Sequence, residues 1–254
     1  MRQSNLYIII FTAIMTIVVG GVLSLTSQVL APAQKRSIEL DTKSAILSSV
    51  MNLEEAGLKG NAILETYSNR IESLVVDING DEVTTDEDGK PIVAEQVDVA
   101  KNYKKAPEDR LYPVFKYMNE QNPDQVDSYI LPLYGAGLWD KIWGFVALDN
   151  NFEEIVGASF DHRGETPGLG ARIASAEIQN RYKGKKIFDD NGDLVSVTMV
   201  KGEGNDGLSE HQVDGMSGAT ITGKGLNQML LNYLNYYQSY INQAKGDTRT
   251  ASIN

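Results

Sequence analysis

The sequence predicts an α+β protein: a single N-terminal membrane-spanning helix followed by a mixed α/β domain. Three observations carry this. Residues 3–34 contain no charged side chain. Short runs rich in β-branched and aromatic residues, punctuated by glycine, fill the second half. Near the end, apolar residues recur at three- and four-residue steps, the signature of one helix face.

The first element is the apolar run 6–25 (LYIIIFTAIMTIVVGGVLSL). Twenty helical residues at a rise of ~1.5 Å span ~30 Å, about the hydrocarbon thickness of a bilayer. Ala31-Pro32-Ala33 imitates a small-x-small cleavage site. The run is nevertheless longer than the roughly 7–15 residues of a signal-peptide core, which favours an uncleaved anchor over residues 1–34. Arg2 precedes the run and Lys35, Arg36 and Lys43 follow it, so Lys and Arg alone disfavour export of the following domain; long domains translocate largely regardless of that bias, which leaves orientation open.

Residues 35–126 read as a membrane-proximal α/β region. A helical pattern (Ile38, Ala45, Ile46, Leu47, Val50, Met51, Leu53) ends near Gly57, and 61–67 is a second helical stretch. Residues 71–78 form a strand closed by Asn79-Gly80, and 80–110 is a polar, turn-rich excursion. A second domain occupies 127–245, with strands at 129–133, 142–149, 155–161 and 194–199 and helical character at 173–182. Leu226, Met229, Leu230, Tyr233, Leu234, Tyr237 and Ile241 mark a helix over about 222–243. Residues 246–254 read as a frayed tail, and no internal repeat is evident.

Composition narrows the function. Thirty-four acidic residues against 23 basic give a net charge of −11, which disfavours nucleic acid as a partner. Without cysteine the chain forms no disulfide, thiolate metal site or all-Cys iron–sulfur cluster, and no cysteine-linked flavin or haem. His162 and His211 are the only histidines. No metal ligand set and no catalytic residue is assigned, and any redox cofactor must be organic.

Three glycine-rich segments are candidates for chemistry. Residues 214–222 (DGMSGATIT) lie directly before the last helix, where unpaired amides and the dipole end suit a phosphate. Ser217, Thr220 and Thr222 add hydroxyls; a plain Ser/Thr helix cap is the simpler alternative. Residues 164–170 (GETPGLG) look like part of a dinucleotide loop, but Ile173 stands where the third glycine of G-x-G-x-x-G belongs. Residues 134–139 place Trp139 in a glycine-rich turn. Serine-hydrolase, P-loop, zinc-protease and EF-hand patterns are absent.

Taken together, these segments resemble the C subunit of the sodium-translocating NADH:quinone reductases. The resemblance runs through GAGLWDKIWGFVAL (135–148), HRGETPGLGARI (162–173), GKKIFD (184–189) and VDGMSGATIT (213–222). It extends to LDTKSAILSSVMNLEEAG (40–57), RIESLVVDINGDEV (70–83) and PEDRLYPVFKY (107–117). From 236 to 254 the family's aromatic, glycine-rich closing segment has no match.

The resemblance implies a bacterial inner-membrane protein with a cytoplasmic N-terminus and an FMN-binding domain on the extracytoplasmic, periplasmic side. It implies FMN joined through its phosphate to Thr220 by a flavin transferase, within a motif that includes Asp214, Ser217, Gly218 and Ala219. Glu165, Thr166, Gly168 and Leu169 would line the isoalloxazine, Leu138 and Trp139 would form an apolar wall, and Lys201 would lie close to the ring. Electrons would pass through this FMN, while NADH oxidation, quinone reduction and sodium passage belong to partner subunits. Two rival readings are the equivalent flavin subunit of the ferredoxin–NAD reductase complex and a cofactor-free anchored interaction domain.

Overall fold

The computed structural model describes residues 4–251, with side chains described for 4–246. The chain divides into two compact units, Met1–Thr42 and Lys43–Asn254.

The first unit is most of one helix, α1 (Asn5–Ser48). Its apolar side chains from Leu6 to Leu30 are exposed on every face, unlike the single buried stripe of a helix packed on a core. Among the described residues it is the one helix long and apolar enough to cross a membrane. The anchor and the helix expected after it are therefore continuous, with Pro32 inside. That continuation stops at Ser48 rather than near Gly57 because local side chains capture the backbone. The Ser49 hydroxyl donates to the Ile46 carbonyl at 2.6 Å, and Asn52 Oδ1 accepts from the amides of Glu54 and Glu55. Both residue types compete with helical bonding in this way.

In the second unit α2 (Asn61–Arg70) runs directly into β1 (Ile71–Val76). A polar stretch follows, holding the short helix α3 (Val99–Asn102). Then come β2 (Tyr112–Met118), β3 (Val126–Ala136), β4 (Lys141–Asp149) and β5 (Glu154–His162). With β6 (Lys185–Lys186) they form one six-stranded antiparallel sheet in chain order β1 to β6. This sheet is continuous across residue 126: β2 pairs with β3 through Phe115 and Ile130. The compact division falls instead between Thr42 and Lys43.

Residues 173–182 do not form one helix. A 3-10 turn (Gly170–Ala174), α4 (Ala176–Gln179) and a second 3-10 turn (Asn180–Tyr182) replace it, because Ser175 is extended and caps α4. The expected strand 194–199 reduces to β7 (Thr198–Met199), parallel to β8 (Gln212–Val213). Ser196, with φ of 62°, breaks the extension.

One five-residue turn recurs three times, at 77–81, 86–90 and 189–193. In each, an aspartate Oδ1 accepts from the amides two and four residues on. Each also places a glycine at positive φ: Gly80, Gly89 and Gly192. The repeat is one of local turn chemistry.

The helix α5 (Thr220–Ala251) lies across the sheet. Leu226, Leu230, Leu234, Tyr237 and Ile241 are fully buried along one stripe, as the periodicity predicts. Residues 129, 131, 133 and 135 of β3 share the face toward α5, since a Cβ on Gly135 would meet the Met229 side chain. The Tyr237 hydroxyl donates to the Pro113 carbonyl at 2.7 Å. The helix starts two residues earlier than expected and its backbone stays helical through Ala251, where a frayed tail was expected; residues 252–254 lie outside the described residues.

Candidate functional site

Three chain segments meet at the N-terminus of α5: the β3–β4 turn, the 164–170 loop and the 214–219 loop. Glu165, in the second segment, ties the first to the opening turn of α5. Its carboxylate is buried and accepts from the Trp139 amide at 3.0 Å and from the Thr222 hydroxyl at 2.6 Å. Its own amide donates to Nδ1 of His162 at 3.2 Å. Gly137 and Gly170 leave room for the carboxylate, because a Cβ on either would collide with it.

Thr166 continues the bracket. Its hydroxyl accepts from the Trp139 indole N–H at 3.1 Å, and its carbonyl accepts from the amides of Leu169 and Ala171. Gly168, with φ of 75°, turns the loop. Leu169 then lies over Gly218: a Cβ there would be 2.8 Å from Leu169 Cδ2. Gly218 also needs φ of 72°, so both its backbone angle and its missing side chain are used.

Ala219 is buried, Ser217 and Gly218 are exposed, and Thr220 is half-buried as the first residue of α5. The amide of Gly223 bonds to the Ala219 carbonyl, so the first-turn amides of Thr220, Ile221 and Thr222 precede the intrahelical ladder. Thr220 lines a groove of about 360 Å³ whose walls include Met199, Lys201, Met216 and Lys224. Asn227 holds the far wall, exchanging hydrogen bonds with both the amide and the carbonyl of Met199.

Apolar exposure concentrates here. Outside α1, six large hydrophobic side chains are exposed among the described residues. Four of them surround this site: Leu138, Trp139 and Leu169 in the first two segments and Ile221 in the first turn of α5. Trp139 is 69% exposed, well above what a core tryptophan shows.

Asp214 is turned away from the groove. Its carboxylate accepts from the amides of Gly204, Asn205 and Gly215 and from the Asn205 side chain. Burial alone would raise its pKa, but these bonds outweigh it and hold the group at about 2, below its ordinary 3.8. The residue stitches the 204–205 turn to the start of the threonine loop.

The sequence reading assigned no role to Arg172, Arg181 and Glu203, which surround that loop, although Arg172 lies within the 162–173 segment. Arg172 forks onto both oxygens of Glu203 at 2.9 and 2.6 Å, and Arg181 reaches Glu203 at 3.0 Å. These bonds hold the Glu203 carboxyl far below the usual range. Their partners come from separate loops, so no spacing rule exposes them. Among the described residues no group of three or more His, Cys, Asp or Glu is placed to hold a metal.

The residues present fit a flavin mononucleotide. An accessible hydroxyl stands at a helix N-terminus beside two lysines, suited to a phosphate, and exposed apolar side chains suit a flat ring. Comparison with known proteins points the same way. Residues 137–235 match the family model described as FMN-binding domain. The C subunit of Na(+)-translocating NADH-quinone reductase from Neisseria meningitidis is 33% identical over 240 residues, covering 90% of this chain and 88% of the relative. Its counterpart from Pseudomonas aeruginosa is 30% identical over 213 residues, covering 79% and 80%. The crystal structure of the same subunit from Parabacteroides distasonis superposes with a TM-score of 0.70 at 36% identity, covering 84% of this chain and 96% of that one. The likeness thus extends well outside the FMN-binding segment. The chain belongs to the family of the C subunit of the Na(+)-translocating NADH-quinone reductases, an oxidoreductase complex, and carries that family's FMN-binding domain.

Proposed function

We propose that this chain is the electron-carrying flavin subunit of its reductase complex, with FMN joined by a phosphoester to the Thr220 hydroxyl. The observation that carries the choice of threonine is the contrast with Thr222. Thr222 is 1% exposed and its hydroxyl is committed to Glu165, whereas Thr220 is half-buried at the edge of the lysine-lined groove.

FMN, when bound, supplies the one-electron redox chemistry. The chain supplies attachment, orientation and electrostatics. Lys201 and Lys224 offset the negative charge of a phosphodiester and favour a reduced, anionic ring by charge attraction. Leu138, Trp139 and Leu169 cover the ring's apolar faces, and Glu165 with Thr166 holds Trp139 in place from behind. A covalent bond suits a domain outside the cytoplasm, where a dissociated cofactor is not replenished. A flavin transferase installs the flavin. The anchor α1 spans the bacterial inner membrane with the domain on the periplasmic side, and the remaining subunits carry out NADH oxidation, quinone reduction and sodium passage.

The test is fluorescence under ultraviolet light after denaturing electrophoresis of chain co-produced with a flavin transferase. Wild type and Thr222→Ala should fluoresce and Thr220→Ala should not. A fluorescent Thr220→Ala band would end the assignment.

A further inference from the structure

The acceptor hydroxyl of Thr220 follows a loop, 214–219, that has no regular secondary structure. Something other than helix or strand bonding must fix it. We propose that Arg181 and Glu203 are positioning residues for flavin attachment, holding this loop in the shape that presents Thr220; the proposal rests on the Thr220 reading above.

Arg181 donates through Nη1 to two successive loop carbonyls, Asp214 at 3.1 Å and Gly215 at 2.5 Å. Its Nη2 is anchored by Glu177 at 2.6 Å and Glu203 at 3.0 Å. Glu203 Oε2 then accepts from the Ser217 amide at 3.2 Å. Within four residues, two carbonyls and one amide of the loop are therefore held by side chains from outside it. Gly215 tightens the arrangement, since the carbonyls of Val200 and Gly202 fill the space a Cβ would take. Asp214 closes the circuit by taking the Gly204 and Asn205 amides at 2.8 and 3.0 Å.

None of these bonds involves the core stripe of α5. The bracket thus acts on the loop that leads into the helix rather than on the packed face of α5. The two side chains are partly buried, 18% exposed for Arg181 and 27% for Glu203, so removing either carries a stability cost that has to be read separately from the rate. A planar guanidinium bridging two carbonyls is a matter of geometry that a lysine does not reproduce. Charge adds direction. The bracket carries two guanidiniums against Glu177, Glu203 and Asp214, a net negative balance. None of the five lines the groove beside Thr220, whose charged residues are both lysines. An incoming phosphate is repelled from the bracket and drawn to the groove.

In the attachment step the bond from Thr220 Oγ1 to the flavin-bearing phosphorus forms and the P–O–P bond of a flavin diphosphate donor breaks. The leaving monophosphate departs, and the hydroxyl proton passes to a base of the transferase or to water. No electrons are exchanged. Misplacing an attacking atom by about 1 Å can cost on the order of 100-fold in such a step.

The experiment uses the full-length chain, flavin-free, as substrate for a flavin transferase with flavin adenine dinucleotide as donor. Initial rates of covalent fluorescence are measured at varied chain concentration. Arg181→Gln should lower kcat about 10-fold or more with KM for the chain little changed, and Arg181→Lys should recover part of the loss. Glu203→Gln should lower kcat by a smaller factor. Glu177→Gln, which touches the arginines but not the loop, should stay within about twofold of wild type. Circular dichroism and the melting midpoint report folding separately, and Glu203→Gln decides the matter if Arg181→Gln does not fold. Wild-type kcat in folded Arg181→Gln and Glu203→Gln would overturn the proposal, as would losses that track melting midpoint alone. An unlabelled wild-type chain would instead overturn the Thr220 reading and this proposal with it.

Discussion

Thr220 and Thr222 are the same residue type two positions apart, and the packing around Glu165 gives them opposite roles. Because the Thr222 hydroxyl is one of two partners of a buried carboxylate, Thr222→Ala leaves part of that carboxylate unpaired. The expected cost is about 1–3 kcal/mol in urea unfolding, with covalent flavin retained. Gly170→Ala strikes the same point from the other side. Its Cβ would press on the Glu165 carboxylate and the Thr222 hydroxyl, so a loss of about 1–3 kcal/mol by the same measurement is expected. Glu165 and Asp214 both fall in the motifs that carry the family resemblance, and both carboxylates are bonded to protein. A motif records that a residue is needed at a position. Whether it touches cofactor or scaffold depends on which way the backbone turns it.

At the scale of elements, the repeated aspartate turns offer a controlled comparison. Gly80 and Gly89 occupy equivalent positions at φ of 87° and 76°. A Cβ on Gly89 meets nothing within 4 Å, while one on Gly80 would lie 2.7 Å from the Tyr240 amide nitrogen in α5. Gly89→Ala should cost only the left-handed backbone term, about 1–2 kcal/mol. Gly80→Ala should cost clearly more, and paired thermal melts would show it. The stitched 203–217 region carries a pH dependence of definite sign. Asp214 is depressed from 3.8 to about 2, so its stabilisation is complete above pH 4 and fades as the pH falls toward 2. Protection factors at the amides of Gly204, Asn205 and Gly215, corrected for the intrinsic exchange rate at each pH, should therefore fall across that window ahead of those in the α5 core. The elements legible in sequence were those with a strong period or a clear punctuator: α5, the strands β1, β3, β4 and β5, and the apolar helix; β2 and β6 were not among the expected strands. The pieces at 173–182 and 194–199 escaped because single residues, Ser175 and Ser196, take backbone conformations that their neighbours' hydrophobicity does not announce.

For the whole molecule, the absence of cysteine provides a clean handle on sidedness. Asp190→Cys places one thiol at an exposed position in a surface turn of the second unit. In intact cells it should react with a membrane-impermeant maleimide if the domain lies outside the cytoplasm; protection until lysis would place it inside. The basic-residue count around α1 does not decide this, since a long domain crosses largely regardless of that bias. By itself the sequence determined the long apolar N-terminal helix, the α+β class, the final helix and the segments that identify the family, because hydrophobic period and short motifs are local properties of a chain. Only the tertiary structure decided that one sheet runs unbroken from β1 to β6, that Glu165 faces inward, and that Arg181 and Glu203 grip the threonine loop. These are contacts between residues tens of positions apart, and their distances exist only once the backbone has closed on itself.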